Sequence, residues 1–350
     1  MGEILGLGIT HYPGLTMQAT MAGRLPTFIK DPLLPERWKD PANWPAKLRE
    51  EWGNDEGEAH QQQHRAALIE NFRWARKELD AFNPEVVLVW ADDQYENFKE
   101  DCVPPFAVLA YDEFESHPWQ NSRGPNSWNE PAEATFHFKG ARLAGKYLTT
   151  RLLEAGFDIP YAYKPLHYEM GHGFRNTALY LDWDRKGFPY PMLPVTVNSY
   201  GRKLLGPPNH NPIGNPLAPV NEDEMSPPGP QPWRCFDLGG AIARAMVASP
   251  WRVALVASSS WSHSFLTSRY DYFHGDVETD KRYFEAMRSG DYEFWRKTPL
   301  EEVEAAGHHE VLNWYCLVGA MAELGRKPDE AYFLESWLCN SSKVFTVFRP

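Results

Sequence analysis

The sequence predicts an α/β protein, a central sheet flanked by helices, on three observations. Short apolar runs of β type recur along the 350 residues. Between them lie longer stretches whose apolar residues return every three or four positions, the period of a helix packed on one side. The two kinds of segment alternate, as they do in layered α/β proteins.

Taken in order, strands are expected over Ile4–Ile9, Val86–Trp90, Phe106–Ala110, Ile159–Tyr163, Met192–Asn198, Val253–Ala257 and Val344–Phe348, each short, apolar and bounded by turn-forming or polar residues. "HRAALIENFRWARKELDAF" sets Leu68, Phe72, Ala75 and Leu79 on one helical face. "AEATFHFKGARLAGKYLTTRLLEAG" is expected to be helical as well, stopping at Gly156 as a C′ glycine. Further helices are expected over Asp237–Ala248, Asp280–Ser289 and Glu310–Leu324. Gly201–Trp233 is dense in proline and glycine and too long for an ordinary connection. Because the strand and helix pattern resumes directly after it, it reads as an excursion (201–233) from one domain spanning 1–350, with 327–350 as a C-terminal extension.

Composition narrows the function. Hydrophobic residues make up 43% and aromatics 14%, as in a folded globular chain. With 35 basic against 47 acidic residues the net charge is −12, which disfavours nucleic acid or an anionic membrane surface as partner. No run of about 18 apolar residues exists to span a bilayer, and the first residues read as a strand, not as a leader. Cys102, Cys235, Cys316 and Cys339 show no paired spacing, so reduced thiols and a cytoplasmic location are expected.

The polar residues gather where the apolar runs stop. Ile4–Ile9 is followed by Thr10-His11, and Val86–Trp90 by Asp92-Asp93-Gln94. Ile159–Tyr163 leads to His167, Glu169 and His172, and Val253–Ala257 runs into Ser258-Ser259-Ser260-Trp261-Ser262-His263. In a mostly parallel sheet these ends share one edge, where α/β proteins bind ligands. Glu310 opens a late amphipathic run. Together with His11 it offers the imidazole and carboxylate donors that non-haem iron sites use.

The succession "GITHYPG", "VVLVWADDQYENF", "EMGHGF", "SSSWSHSF" and "AAGHHEVLNWYCLVGAM" resembles the class III extradiol ring-cleaving dioxygenases, the group of the protocatechuate 4,5-dioxygenase catalytic β-subunit and the gallate and methylgallate enzymes. The resemblance implies a mixed central sheet flanked by helices and Fe(II) held by His11 and Glu310. It implies His172 beside the substrate and His263 as the acid/base residue. The family places a further histidine ligand where this chain has Gln94. Either Gln94 serves as a weak third ligand, or His60 or His64 replaces it, or the metal is lost. Ser262 and Tyr270, with Arg175 and Thr177, are candidates for contacts to substrate. The expected activity is opening of a catecholic aromatic ring with O₂ by a homo-oligomeric enzyme. A metal-dependent hydrolase and a non-catalytic binding protein on the same fold are the alternatives.

Overall fold

The computed structural model describes residues 2–18, 25–121, 124–203, 216–217 and 225–350. Its strands are β1 (Ile4–Ile9), β2 (Val86–Asp92), β3 (Phe106–Leu109), β4 (Glu113–Ser116), β5 (Phe136–Lys139), β6 (Tyr161–Ala162), β7 (Met192–Val197), β8 (Val253–Ser258), β9 (Glu330–Leu334) and β10 (Lys343–Phe348). Eight of them form one sheet in the order β6-β3-β7-β2-β8-β1-β10-β9, and β4 pairs with β5 alone. The middle strands β7, β2, β8 and β1 run parallel, while β3 and β10 each join this block antiparallel. The sheet is therefore mixed.

β1, β2, β7, β8 and β10 are buried along their whole length. This is why they read as unbroken apolar runs: both faces are covered. Alternate side chains serve opposite layers. Ile4, Val86, Leu88 and Trp90 face the helices Pro232–Val247 and Leu312–Glu323, whereas Leu5, Leu7, Val87 and Val89 face the helices Glu58–Phe82 and His172–Leu181. On the first side two helices approach unusually closely. A Cβ on Gly239 would lie 1.8 Å from Cys316 O, and one on Gly319 2.0 Å from Phe236 O, so only glycine permits this contact.

The departures from the sequence reading have local causes. The stretch Ala132–Gly156 divides into strand β5 and the helix Arg142–Glu154. Its aromatic first half pairs with β4, Glu115 lying opposite His137, which a single periodicity cannot show. The helix does stop at Gly156, with φ of 83°. The last helix begins at Leu312, after a 3₁₀ turn over His309–Val311 that carries Glu310. It is buried on every side and not amphipathic. β6 shrinks to two residues at the sheet edge. Residues 330–348 are no appendage, because β10 sits between β1 and β9. The Pro/Gly-rich excursion lies largely outside the described residues.

Lys343 opens β10 fully buried. Its ammonium donates to the carbonyls of Cys339 (2.7 Å) and Ser341 (2.5 Å) and lies 4.1 Å from the centre of the Tyr12 ring. Burial lowers this lysine from 10.5 to about 8. Between those two values the unfolded chain keeps a proton that the folded chain has released, so folding gains stability as the pH rises through that window. The stability of wild type relative to Lys343→Met is expected to improve by up to about 3 kcal/mol across it. Chemical unfolding at stepped pH checks this; a constant difference would mean the ammonium is not buried as described.

Candidate active site

The carboxyl ends of β1, β2 and β8 are level with one another, Ile9 pairing with Ser258 and Trp90 with Ala257. Side chains just beyond them therefore converge. His11 follows β1 and is almost wholly buried. Its Nδ1 donates to the Ser258 carbonyl at 2.7 Å, and Asn176 donates to the His11 carbonyl at 3.2 Å. With the proton on Nδ1, the lone pair of Nε2 points into the cluster, and Nε2 has no hydrogen-bond partner among the described residues.

Two carboxylates face that nitrogen. Asp92, the last residue of β2 and fully buried, brings Oδ1 within 3.3 Å, and Glu310 Oε2 lies at 3.6 Å. Burial pushes the Glu310 carboxyl up to about 7, reinforced by the negative charge of Asp92. Burial would raise Asp92 too, yet in the metal-free cluster positive charge on the imidazoles of His11 and His172, together with the Gln94 amide, outweighs it and holds this carboxyl below the usual range. The outer oxygens are tied down. Tyr200 donates its hydroxyl to Glu310 Oε1 at 2.6 Å, while the Gln94 amide lies 3.0 Å from Asp92 Oδ2, 2.8 Å from the Tyr200 oxygen and 3.4 Å from Glu310 Oε1.

Two further histidines close the cluster. His172 begins the helix His172–Leu181, and Glu96 accepts hydrogen bonds from both its backbone N–H (3.0 Å) and its Nδ1 (2.8 Å). Burial disfavours the imidazolium, but the Glu96 carboxylate overcomes it and raises His172 to about 9. A ligating atom of His172 lies within 4.8 Å of those of His11 and Asp92. His263 places Nε2 3.4 Å from Glu310 Oε1. Its burial lowers it to about 3, so it stays neutral. One cationic and one neutral imidazole thus flank a pair of carboxylates.

Of the residues singled out in the sequence, His11, Gln94, His172, His263 and Glu310 are brought together here. His172 does not arrive as expected: β6 is parallel to β3 and hence opposed to the central block, and the connection after it leads back to the shared edge. Along that connection His167 pairs with Asp101 and Glu169 with His117 at the surface. The Ser262 hydroxyl donates to the Ala306 carbonyl (2.6 Å) and accepts from the Asp276 N–H (2.5 Å), binding loops together. Tyr270 stacks on His274 with ring centres 4.4 Å apart. Thr177 donates to Ser258 Oγ behind His11, and Arg175 to Tyr168. His60 faces Glu51 (3.1 Å) and stacks on His64 in a separate group. Asp92, Glu96 and Tyr200 were not singled out. Only Asp92 left a trace, as a carboxylate ending an apolar strand.

Residues 53–346 match the family model of the catalytic LigB subunit of aromatic ring-opening dioxygenases. The chain belongs to this family. The LigB-family chain is also 28% identical over 196 residues to a 2,3-dihydroxyphenylpropionate/2,3-dihydroxicinnamic acid 1,2-dioxygenase of Paraburkholderia phymatum, covering 55% of this chain and 47% of that protein. A protein of the same name from Azotobacter vinelandii is 24% identical over 189 residues, 54% of this chain and 47% of the relative. The chain thus spans about half the length of these curated relatives. A namesake from Rhodococcus rhodochrous matches at 24% over 286 residues, 75% of this chain and 83% of the relative.

The cluster fits the metal on which LigB-family dioxygenases depend. An imidazole nitrogen with a free lone pair and a carboxylate oxygen, Asp92 Oδ1, are both buried without hydrogen-bond partners among the described residues. Such orphaned donors and two adjacent buried carboxylates are costly unless a cation joins them. The proton on His11 Nδ1 is fixed by a backbone carbonyl, as is usual for a metal-ligating histidine.

Proposed function

We propose that the chain is an Fe(II)-dependent extradiol-type dioxygenase that opens a catecholic aromatic ring with O₂. The observation that carries this reading is the buried meeting of His11 Nε2 with Asp92 and Glu310, flanked by His172 and His263. In this reading His11, Asp92 and Glu310 hold the ion, and Asp92 takes the position first assigned to Gln94. Bound there, ferrous iron would leave sites open to the catechol oxygens and O₂ and would acidify the catechol.

The chain's own residues supply the rest. His263, neutral and facing Glu310, accepts a catechol proton at Nε2 and later returns it. His172, held as an imidazolium by Glu96, offers an N–H to negative charge developing on oxygen. Gln94 and Tyr200 fix the outer carboxylate oxygens, so Gln94→Ala is expected to weaken ferrous binding about 10–100-fold. An anaerobic metal titration checks this, and an unchanged affinity would remove Gln94 from the site's support.

Oxygen uptake by the ferrous-loaded protein with 2,3-dihydroxyphenylpropionate, protocatechuate and catechol, read together with the absorbance of the ring-opened product, tests the activity. Ferrous protein that consumes no oxygen with any catechol would defeat the proposal.

A further inference from the structure

We propose that Asp280 is a positioning residue that locks the loop bearing His263 to the turn bearing Glu310, an inference that rests on the dioxygenase reading above. Asp280 lies near the start of the helix Val277–Ser289 and is fully buried. Its Oδ1 accepts the Ser262 N–H at 3.0 Å and lies 2.7 Å from His308 Nε2. One carboxylate oxygen therefore grips the residue before His263 and the second residue before Glu310.

Neighbouring bonds stitch the same seam. The His263 N–H donates to the Gly307 carbonyl at 3.0 Å, and Thr267 donates to the His263 carbonyl at 2.6 Å. Ser262 bridges Ala306 and Asp276. Every one of these contacts bears on the 3.4 Å separation of His263 Nε2 from Glu310 Oε1.

Stability alone is a poor reason for such a carboxylate. Among the described residues Asp280 is bonded to no lysine or arginine, its ion-pair partner being His308, and its Oδ2 has no hydrogen-bond partner; the buried Lys343 ammonium feels its charge without bonding to it. A buried polar group of this kind commonly stabilises less than an apolar side chain of similar size would. What it does supply is a fixed distance between two segments that come from different parts of the sequence. Misplacement by about 1 Å can slow an enzyme on the order of 10²-fold.

The test compares wild type, Asp280→Ala, Asp280→Asn, His263→Ala and the Asp280→Ala/His263→Ala double variant. Amide hydrogen exchange of the metal-free proteins, followed in peptides covering 259–267 and 305–311, reads the clamp without any turnover. Asp280→Ala is expected to speed exchange in those two peptides selectively. Its kcat, counted per bound iron, should fall on the order of 10²-fold with little change in KM. Asp280→Asn, which can still accept from Ser262, should recover part of both. In the His263→Ala background the Asp280 change should add little, since its effect passes through His263. Exchange that rises evenly across the protein, or losses that multiply in the double variant, would make Asp280 a general stabiliser and overturn the proposal. Should Asp280→Ala not fold, exchange in Asp280→Asn decides alone: wild-type protection in both peptides with lowered kcat would equally overturn it. If wild type opens no catechol, the dioxygenase reading fails, while the exchange arms still decide whether the clamp exists.

Discussion

His263→Ala is expected to keep its metal and bind catechol while turning over about 10²–10⁴-fold more slowly. The imidazole lies at the end of β8, buried, with Nδ1 lacking a hydrogen-bond partner among the described residues and Nε2 facing Glu310. Its Nε2 lies 3.4 Å from Glu310 Oε1, close enough to meet a substrate hydroxyl beside that carboxylate. Because burial keeps it neutral, it enters the reaction able to accept a proton. Single-turnover kinetics with the iron content counted separate the proton-transfer defect from loss of metal. A rate equal to wild type would leave His263 as one more packed loop residue.

His11→Ala and Glu310→Gln are each expected to abolish retention of ferrous ion through gel filtration while the far-ultraviolet circular dichroism stays native. Glu310→Gln carries a second signature. In the metal-free protein the Glu310 carboxyl is raised from 4.5 to about 7 by burial and by Asp92, so the folded state keeps a proton there that the unfolded chain gives up. Stability of the metal-free wild type should therefore fall as the pH rises through that window. Glu310→Gln removes the ionisation, and its melting temperature should exceed that of metal-free wild type at neutral pH. A variant that loses iron and gains stability together is the mark of a group placed for function at the expense of the fold. Retention of one iron per chain by either variant would refute the ligand assignment.

Much of this architecture was legible because buried parallel strands leave continuous apolar runs. Ile4–Ile9 and Val253–Ala257 were placed to within a residue of β1 and β8. What the sequence hid was pairing. Nothing in Phe136–Lys139 announces a partner in Glu113–Ser116, and nothing in Glu330–Leu334, half exposed at the sheet edge, alternates clearly enough to mark a strand. The same division holds in the site. His11, His263 and Glu310 stand at element ends and carry chemistry in their names, so they were visible. Tyr200 was not, since a tyrosine after a strand is usually core, and its hydrogen bond to Glu310 joins residues 110 positions apart. Gln94 was legible as a departure from the family's pattern; in the structure its amide lies 3.0 Å from Asp92 Oδ2, two residues earlier.

The ion's three candidate holders come from just beyond the first strand, the end of the second strand and a turn that precedes the last long helix. The three do not meet in any short fragment, since His11 and Glu310 lie 299 positions apart. On this reading full capture of metal acts as an inspection of the finished molecule: a nascent or clipped chain missing either flank lacks at least one holder, and a chain that has all three has already brought distant parts into register. Because an ion bound only to the completed fold stabilises it by mass action, metal supply would set how long a molecule, once clipped in a loop, holds together. Catalytic competence and structural integrity would then be lost in the same event.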